Sequence, residues 1–236
     1  LYVANTDSVL RARYTVGEER LSDAPETVVD GIPPGGHWTR DVIFSPSGEK
    51  MYVSIGSASN IDEEEPPRAS IVEYNPDGSG GRTYASGLRN PVGLRFSPTT
   101  AKLWTAVNER DGLGDDLPPD YVTSVADGAF YGWPYSYIGA NPEPRHGGKR
   151  MDLVATAVVP DVLIQAHSAA LGLLFYTGDM FPDEYRGELL VALHGSWNRA
   201  QRTGYKVIRV HMDAAGNAVG SYEDFLTGWS TDPNSK

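Results

Sequence analysis

Short apolar and β-branched runs recur along almost the whole chain, separated by Gly, Pro, Asn and Asp, and helical periodicity is nearly absent. Such runs, bounded by turn residues, are typical of β-strands. The pattern predicts strands over 1–5, 8–14, 26–32, 41–46, 50–56, 69–75, 82–88, 92–98 and 102–108. After an interruption it predicts further strands over 171–177, 187–195, 205–212 and 221–228. The chain is therefore expected to be all-β.

The strand pattern also repeats. Phe44-Ser45-Pro46 returns 52 positions later as Phe96-Ser97-Pro98, and Met51-Tyr52-Val53 is matched at the same interval by Leu103-Trp104-Thr105. A period near 50 residues with four strands in each unit is the signature of a β-propeller, whose units are called blades.

The repeat predicts how the blades divide the chain. It gives a partial blade of three strands over 1–40 and full blades over 41–88, from 92 to about 165, and over 171–228. The strands that begin at Asp41, Val92 and Leu171 are expected to be innermost. We therefore expect residues 1–236 to form a single β-propeller domain, a fragment of about four blades that is incomplete at both ends.

Composition narrows the class of protein. Forty per cent hydrophobic residues, with five Trp and thirteen Tyr, are enough for a packed core. The formal net charge of −11 argues against nucleic-acid binding, because a phosphate backbone would repel the protein. With no cysteine, neither disulfides nor thiolate chemistry is available. No apolar run approaches the roughly 20 residues of a membrane helix. No signal peptide is visible, since the chain begins at Leu1 inside a predicted strand, and we expect a mature fragment or the core of a longer chain.

The segment 108–134 interrupts the strand rhythm and is unusually acidic. Its six acidic residues are Glu109, Asp111, Asp115, Asp116, Asp120 and Asp127. Gly112, Gly114 and Gly128 in the same segment allow tight turns that free backbone carbonyls. Carboxylates and carbonyls are the ligands that Ca²⁺ prefers, although the spacing does not fit an EF-hand. The segment therefore predicts a calcium loop of another kind, with a solvated acidic surface loop as the alternative.

Several motifs occur together in a recognisable order. They are HWTRDVIFSPSGEKMYVSIGS, GLRNPVGLRFSP, NERDGLGDDLPPDY, FYGWPY and LLVALHGSWNR followed by GYKVIRV. Together, over Gly31 to Trp229, they resemble the glucose/sorbosone dehydrogenase family, and most closely its sorbosone dehydrogenase branch. The resemblance implies a six-bladed β-propeller that binds pyrroloquinoline quinone (PQQ) and calcium. It also implies a quinoprotein oxidoreductase that oxidises an aldose sugar or a sorbosone-like aldehyde by hydride transfer to calcium-bound PQQ.

The resemblance further implies roles for individual residues near the quinone. His37 falls where the family keeps its catalytic base, one residue closer to Arg40 than in the soluble glucose enzymes. Arg89 and Asn90 match the pair that contacts the quinone beside its reactive carbonyl. A neutral His can accept the substrate's hydroxyl proton at ordinary pH, and a guanidinium such as Arg89 can stabilise charge that develops on the quinone. Arg40 is expected among the cofactor-binding residues.

Metal and remaining cofactor contacts follow from the same resemblance. Asp111 and Gly112 fall at the two positions whose backbone carbonyls hold the cofactor calcium, while Asp120 and Tyr131 lie near a second, structural calcium site. His194 sits close to the position of a cofactor-binding lysine in the glucose enzymes. His167 and His194 are equally compatible with ordinary residues at strand ends, and no role is assigned to His146 or His211.

The resemblance also implies a substrate, an electron acceptor and a location for the protein. The substrate is a small sugar or aldehyde, the electron acceptor a quinone or a cytochrome, and the protein is expected to be periplasmic or secreted. A propeller can also be a binding scaffold without a cofactor, since fold does not fix function. A calcium-dependent hydrolase of the lactonase type is the other alternative. It would place Asn, Asp and Glu side chains from several blades around one ion, whereas the acidic residues here concentrate in one segment.

Overall fold

The computed structural model describes residues 1–230, and the last six residues of the predicted domain lie outside this part. Seventeen β-strands, one four-residue α-helix and two 3-10 helices make up its regular structure. The prediction of an all-β chain is confirmed. No helix in the described part is both long and apolar enough to cross a membrane.

The first sheet is antiparallel and has three strands, as the pattern predicts for residues 1–40. They are β1 (Tyr2–Ala4), β2 (Val9–Arg11) and β3 (Glu26–Val29), in that spatial order. β2 and β3 are shorter than the predicted 8–14 and 26–32. β3 stops before Gly31, which has a positive φ of 74° and turns the chain out of the sheet.

The second sheet has four antiparallel strands in sequence order. They are β4 (Val42–Phe44), β5 (Met51–Ile55), β6 (Ser70–Tyr74) and β7 (Arg82–Ser86). All five residues of β5 are buried. Successive side chains of a strand point to opposite faces, so burial of every residue means that both faces of this sheet are covered.

The third sheet corrects the prediction for the acidic segment. Its strands are β8 (Pro91–Phe96), β9 (Leu103–Val107), β10 (Asp120–Val125) and β13 (Val162–Ile164). β10 lies inside the segment expected to be a loop, and β13 was not predicted at all. β10 forms because its run Tyr-Val-Thr-Ser-Val is β-branched and pairs along its length with β9. The loop proper is therefore 108–119, and we call it the acidic loop.

An insertion, residues 126–161, separates β10 from β13. It contains the short strands β11 (Ser136–Tyr137) and β12 (Asn141–Pro142), the 3-10 helix Pro144–His146 and the helix α1 (Met151–Val154). Its first residues hydrogen-bond to β7: the N–H of Tyr131 donates to the Ser86 carbonyl at 2.9 Å, and the N–H of Ser86 donates to Ala129. The insertion thus covers the outer edge of the second sheet, which would otherwise present unpaired backbone groups.

The fourth sheet closes the described part of the chain. Its strands are β14 (Ala170–Phe175), β15 (Leu189–Leu193), β16 (Lys206–Met212) and β17 (Ala218–Leu226), in sequence order. A second 3-10 helix, Asp183–Tyr185, lies between β14 and β15.

Three apolar clusters join the sheets face to face. Met51, Val53 and Ile55 of β5 pack with Val9 and Val29 of the first sheet. Tyr52, on the opposite face of β5, belongs to a cluster shared with the third sheet. A further cluster joins the third and fourth sheets. β8 contacts both β4 and β14, so the first strands of these sheets lie side by side as the sequence predicts for innermost strands. Consecutive four-stranded sheets stacked in this way are the arrangement of propeller blades.

One side chain links two inner strands directly. Asp41, just before β4, accepts a hydrogen bond from the backbone N–H of Leu94 in β8 at 2.8 Å. Leu94 is fully buried, and its N–H faces away from β9. Asp41 is thus the acceptor that satisfies a buried donor across a sheet boundary.

We predict that Asp41→Ala lowers the free energy of unfolding by about 1–3 kcal/mol, because it leaves the Leu94 N–H buried without an acceptor. Asp41→Asn keeps an acceptor oxygen and should cost less. Urea unfolding of both variants measures the difference, with Asp179→Ala, at an exposed position, as the control. Equal stabilities of Asp41→Ala and the control would show that this link contributes nothing.

Candidate active site

A pocket opens where the loops at one end of the second, third and fourth sheets converge. Each loop either precedes a first strand or follows a second strand, and in antiparallel sheets these positions lie at the same edge. The pocket is lined by His37, Arg89, Asn90, Asn108, Glu109, Asp111, Asp120, His167, Ala169, Gly195, Trp197 and Asn198. Of the residues predicted for the quinone, His37, Arg89 and Asn90 are brought together here.

His37 is half-buried and its tautomer follows from its partners. Nδ1 lies 2.9 Å from the Ser57 carbonyl oxygen and 3.0 Å from Ser57 Oγ. A carbonyl oxygen can only accept, so Nδ1 carries the proton and Nε2 of the neutral ring keeps its lone pair. Burial, and then the positive charge of Arg89, lower the pKa of His37 below its usual 6.5. The ring is therefore neutral at neutral pH, as a proton acceptor must be.

Arg40 holds the loop of His37 and does not line the pocket. Its guanidinium donates to the carbonyls of His37 at 2.7 Å, Thr39 at 2.9 Å and Pro33 at 3.0 Å. All three acceptors belong to the segment that carries His37. The structure therefore places Arg40 as a support of this loop and brings it to no other predicted site residue.

Arg89 is 5% exposed and is fixed by neutral acceptors. Nε donates to the Asn60 carbonyl at 3.0 Å, Nη1 to the Asn108 carbonyl at 3.2 Å and Nη2 to Asn60 Oδ1 at 2.9 Å. Asp111 Oδ2 is 4.0 Å from Nη2. Burial lowers the pKa of Arg89, and the carboxylates of Glu109 and Asp111 oppose that effect. Arg89 is thus a buried cation held in one orientation by neutral acceptors, with carboxylates nearby that stabilise its charge.

Two amide oxygens in the pocket lack a partner within residues 1–230. They are Oδ1 of Asn90 and Oδ1 of Asn198, both buried. A buried polar atom without a partner costs free energy, and a bound ligand with a donor group would satisfy it. Both atoms are therefore available to accept a hydrogen bond from a molecule bound in this pocket.

The acidic loop lies against the loop that follows β15. Asn198 Nδ2 donates to Asp111 Oδ1 at 2.6 Å, Arg199 Nη2 to Asp116 Oδ1 at 2.9 Å, and the N–H of Ala200 to Asp115 Oδ2 at 3.1 Å. The loop is therefore tied down by the fourth sheet. Gly112 is exposed, with a φ of 89°, and the Asp111 carbonyl accepts a hydrogen bond from Asn60 Nδ2 at 3.0 Å.

Two carboxyl groups near Arg89 are buried, those of Glu109 and Asp120. Burial raises the pKa of Glu109 to about 7 and that of Asp120 to about 6. Asp120 accepts hydrogen bonds from the N–H groups of Glu109 at 2.8 Å and Ala169 at 2.7 Å. Asp120 thus joins the acidic loop to the start of β14 in addition to lining the pocket.

The structure does not bring Tyr131 to Asp120. Tyr131 Oη donates to the Ser124 carbonyl at 2.7 Å, within the cluster between the second and third sheets. Ser124 lies four positions beyond Asp120 in β10, roughly 13 Å along the strand. Asp127 is also remote from the pocket, since it pairs with Arg82 at 2.6 Å. Within residues 1–230, no three His, Asp or Glu side chains are arranged to hold a metal.

His194 is likewise outside the pocket. Its side chain is exposed and lines a separate apolar groove with Leu193 and Trp229. From the same HGSWNR motif, Trp197 and Asn198 reach the pocket instead. Trp197 is 81% exposed at the pocket mouth.

His167 is a pocket residue that the sequence did not single out. Nε2 lies 2.8 Å from the Gly114 carbonyl and Nδ1 3.3 Å from Asp111 Oδ1. Both His167 and Ala169 have positive φ, 67° and 54°. For residues other than glycine this conformation costs about 1–3 kcal/mol, and such strain concentrates at functional sites. The only sequence signal was a His just before a predicted strand, which is common to many structural histidines.

Sequence comparisons find proteins similar to this chain. A family model described as Glucose / Sorbosone dehydrogenase matches residues 3–219. An uncharacterized protein of Borreliella burgdorferi is 33% identical over 202 residues, which are 85% of this chain and 53% of that protein. A pyrroloquinoline quinone-dependent pyranose dehydrogenase of Coprinopsis cinerea is 28% identical over 230 residues, covering 78% of this chain and 31% of that protein. The chain thus spans about half or less of the length of these relatives.

The fold is shared with solved structures. The holo form of the pyranose dehydrogenase PQQ domain from Coprinopsis cinerea superposes with a TM-score of 0.81 at 25% identity, covering 99% of this chain and 69% of that one.

We predict that Glu109 makes the ligand-free protein less stable as pH rises from about 4.5 to about 7. Its pKa is higher in the folded state, so folding favours the protonated carboxyl, and this contribution is lost as the group ionises. The loss amounts to at most roughly 3 kcal/mol, at about 1.4 kcal/mol per pH unit. Glu109→Gln should flatten this part of the profile, measured by urea unfolding in EDTA between pH 4.5 and 8. Glu19→Gln, at an exposed position, is the control; a Glu109→Gln profile parallel to wild type would contradict the prediction.

Proposed function

We propose, since the chain belongs to the glucose/sorbosone dehydrogenase family, that it forms the catalytic pocket of a quinoprotein that oxidises an aldose sugar or a sorbosone-like aldehyde with calcium-bound PQQ. The observation that carries the proposal is the meeting of His37 with Arg89 and Asn90 in one pocket, although they come from different sheets. A proton acceptor and a buried cation beside it are what such an oxidation needs.

The four sheets are proposed to be four of six blades in a closed ring. Support comes from the resemblance to six-bladed enzymes and from the solved PQQ domain, of which this chain covers 69%. Closure of such a ring removes exposed sheet edges.

The residues of the pocket fit PQQ, a planar quinone with three carboxylates. Arg89 has five N–H bonds, and with three engaged by protein carbonyl or amide oxygens, two remain for a ligand. The unpartnered oxygens of Asn90 and Asn198 can accept from donor groups of a bound molecule. When bound, PQQ supplies the acceptor for the substrate's hydride.

Calcium is proposed on electrostatic grounds as well as on the resemblance. The residues that line the pocket include three acids, Glu109, Asp111 and Asp120, and one guanidinium, that of Arg89. An anionic cofactor would be repelled by these carboxylates, and a divalent cation offsets that repulsion. The carbonyls of Asp111 and Gly112 are the proposed ligands from this chain, and oxygen ligands of this kind suit Ca²⁺.

The residues of the chain divide the chemical work. Nε2 of His37 takes the proton from the substrate hydroxyl, and the Ser57 carbonyl holds the ring in the tautomer that allows this. Arg89 stabilises negative charge that develops next to it, without having to reorient, because its neutral acceptors already fix it. Trp197, exposed at the mouth, offers an aromatic surface to the apolar face of a sugar ring.

A calcium-dependent lactonase is the competing function. The pocket does gather Asn90, Asn108 and Asn198 from three loops, as that alternative expects. Two observations favour the dehydrogenase: the family model that matches is a sugar dehydrogenase model, and the carboxylates of the pocket all come from residues 109–120. We also propose a periplasmic or secreted location and a quinone or cytochrome as electron acceptor, on the strength of the family resemblance.

We predict that the protein reconstituted with PQQ and CaCl₂ reduces an artificial dye in the presence of aldoses or sorbosone. PQQ with Ca²⁺ should also raise the melting temperature, because ligands that bind only the folded state stabilise it. Mg²⁺ should substitute poorly, since it demands a tighter octahedron. Hydrolysis of a lactone panel with Ca²⁺ alone, without any PQQ-dependent change in melting temperature or dye reduction, would favour the lactonase.

We predict different effects for the two central residues. His37→Ala should lower kcat by roughly 10²–10⁴ while PQQ affinity stays near wild type, because only proton transfer is lost. Arg89→Ala should weaken PQQ binding as well as turnover, because a charged hydrogen bond is lost. PQQ titration and steady-state kinetics measure both, with His211→Ala and Arg82→Ala, which lie outside the pocket, as matched controls. Wild-type turnover in His37→Ala would assign the base to another residue.

A further inference from the structure

We propose that Asn60 is a positioning residue that sets where the Arg89 guanidinium points and keeps it apart from Asp111. The proposal rests on the proposed function, because the purpose of this arrangement is to present Arg89 to an anionic cofactor. Asn60 is not among the pocket-lining residues, and its exposed position between β5 and β6 gives no hint of such a role.

Every polar group of the Asn60 side chain is engaged with the pocket. Oδ1 accepts from Arg89 Nη2 at 2.9 Å and from the backbone N–H of Asp111 at 2.8 Å. Nδ2 donates to the Asp111 carbonyl at 3.0 Å. The backbone carbonyl of Asn60 accepts from Arg89 Nε at 3.0 Å. Asn60 thus hydrogen-bonds to both the Arg89 guanidinium and the start of the acidic loop.

The position of Asn60 Oδ1 explains why Arg89 does not pair fully with Asp111. Arg89 Nη2 and Asp111 Oδ2 are 4.0 Å apart, outside hydrogen-bond distance. Asn60 Oδ1 is the shared acceptor between these two residues and replaces a direct ion pair. A bidentate Arg89–Asp111 pair would use the N–H groups that the pocket otherwise leaves for a ligand. Asp111 is instead occupied by Asn198.

Residues of the insertion fix the backbone of Asn60 and of its neighbour Ile61. Trp133 Nε1 donates to the Asn60 carbonyl at 3.0 Å, so this oxygen is shared by Trp133 and Arg89. The next residue, Ile61, is 2% exposed and packs against Trp133 and Ala69. His146 Nε2 is hydrogen-bonded to the Ile61 carbonyl. These contacts anchor the backbone at Asn60, so the side chain projects from a fixed point.

A double-mutant cycle tests the proposal. Asn60→Leu should raise the PQQ dissociation constant roughly ten- to a hundredfold, comparable to the effect of a misplaced binding group. In the Arg89→Ala background the same change should raise the PQQ dissociation constant by a clearly smaller factor than in wild type, because the part of its effect that passes through Arg89 is absent. Asn60→Asp keeps the acceptor oxygen for Arg89 and should hold the guanidinium as wild type does, although it loses the Nδ2 donor to the Asp111 carbonyl. Asn141→Leu, which removes an exposed asparagine with one local hydrogen bond, is the matched control.

A second measurement separates this proposal from the proposed function. In the ligand-free protein, the hydrogens on Arg89 Nη2, one of which is donated to Asn60 Oδ1, should exchange slowly with solvent by NMR. Asn60→Leu should accelerate this exchange severalfold, while Asn60→Asp does not. If wild type fails to bind PQQ, the proposed function fails, and the exchange rates still test the hold of Asn60 on Arg89. Unchanged exchange in Asn60→Leu, or additive losses of PQQ affinity in the double mutant, would overturn the proposal.

Discussion

The second and third sheets of this protein are buried on both faces, and neither face can be left in water. β5 shows the constraint most directly, because Met51, Val53 and Ile55 need the first sheet while Tyr52 needs the third. Face-to-face stacking buries both sides, and each Å² of apolar surface removed from water stabilises the folded state by about 25 cal/mol. Because each sheet in the stack runs its strands the same way, the loops at one end converge. The pocket is a consequence of this packing and not of any one loop.

Electrostatics inside the pocket follow from the same burial. Arg89 loses its hydration, and neutral oxygens from Asn60 and Asn108 replace the water that it gives up. Glu109 and Asp120 lie close enough to favour the cation, yet burial raises the pKa of both carboxyls, so their own charge is costly. Such a site is poised for a ligand, because an anion that approaches Arg89 meets a guanidinium that is already oriented.

Sequence patterns predicted most of the fold for a local reason: apolar alternation and turn residues are contiguous in the chain. β10 was missed because its run Tyr-Val-Thr-Ser-Val directly follows the acidic loop, whose composition suggested one long irregular segment. Fewer of the site residues than of the strands could be predicted from the sequence. His37, Arg89 and Asn90 could be assigned by resemblance, but His194 points outward at the end of β15, and Tyr131 packs between sheets.

The contacts that could not be predicted are the long-range ones. Asn60 meets Asp111 across 51 positions, and His167 meets Asp111 across 56. No local pattern reports which exposed asparagine or strand-end histidine will be carried to the pocket. The way the sheets stack determines which residues reach the pocket. Stacking depends on how the side chains of neighbouring sheets fit together, and the hydrophobic periodicity of the sequence does not report that fit.

The ties between the acidic loop and the loop after β15 have a consequence for how the protein is made. Asn198 and Asp111 are 87 positions apart, so their hydrogen bond closes a long loop and cannot form until the fourth sheet is in place. During synthesis, the ribosome releases Arg89 and the acidic residues well before Asn198 and Arg199 emerge. A nascent chain therefore carries Asp111 and Asp116 for some time without Asn198 and Arg199, which hydrogen-bond to them in the folded protein. The contacts between these two loops can form only after the fourth sheet, and a fold of this kind with many distant contacts is expected to fold slowly.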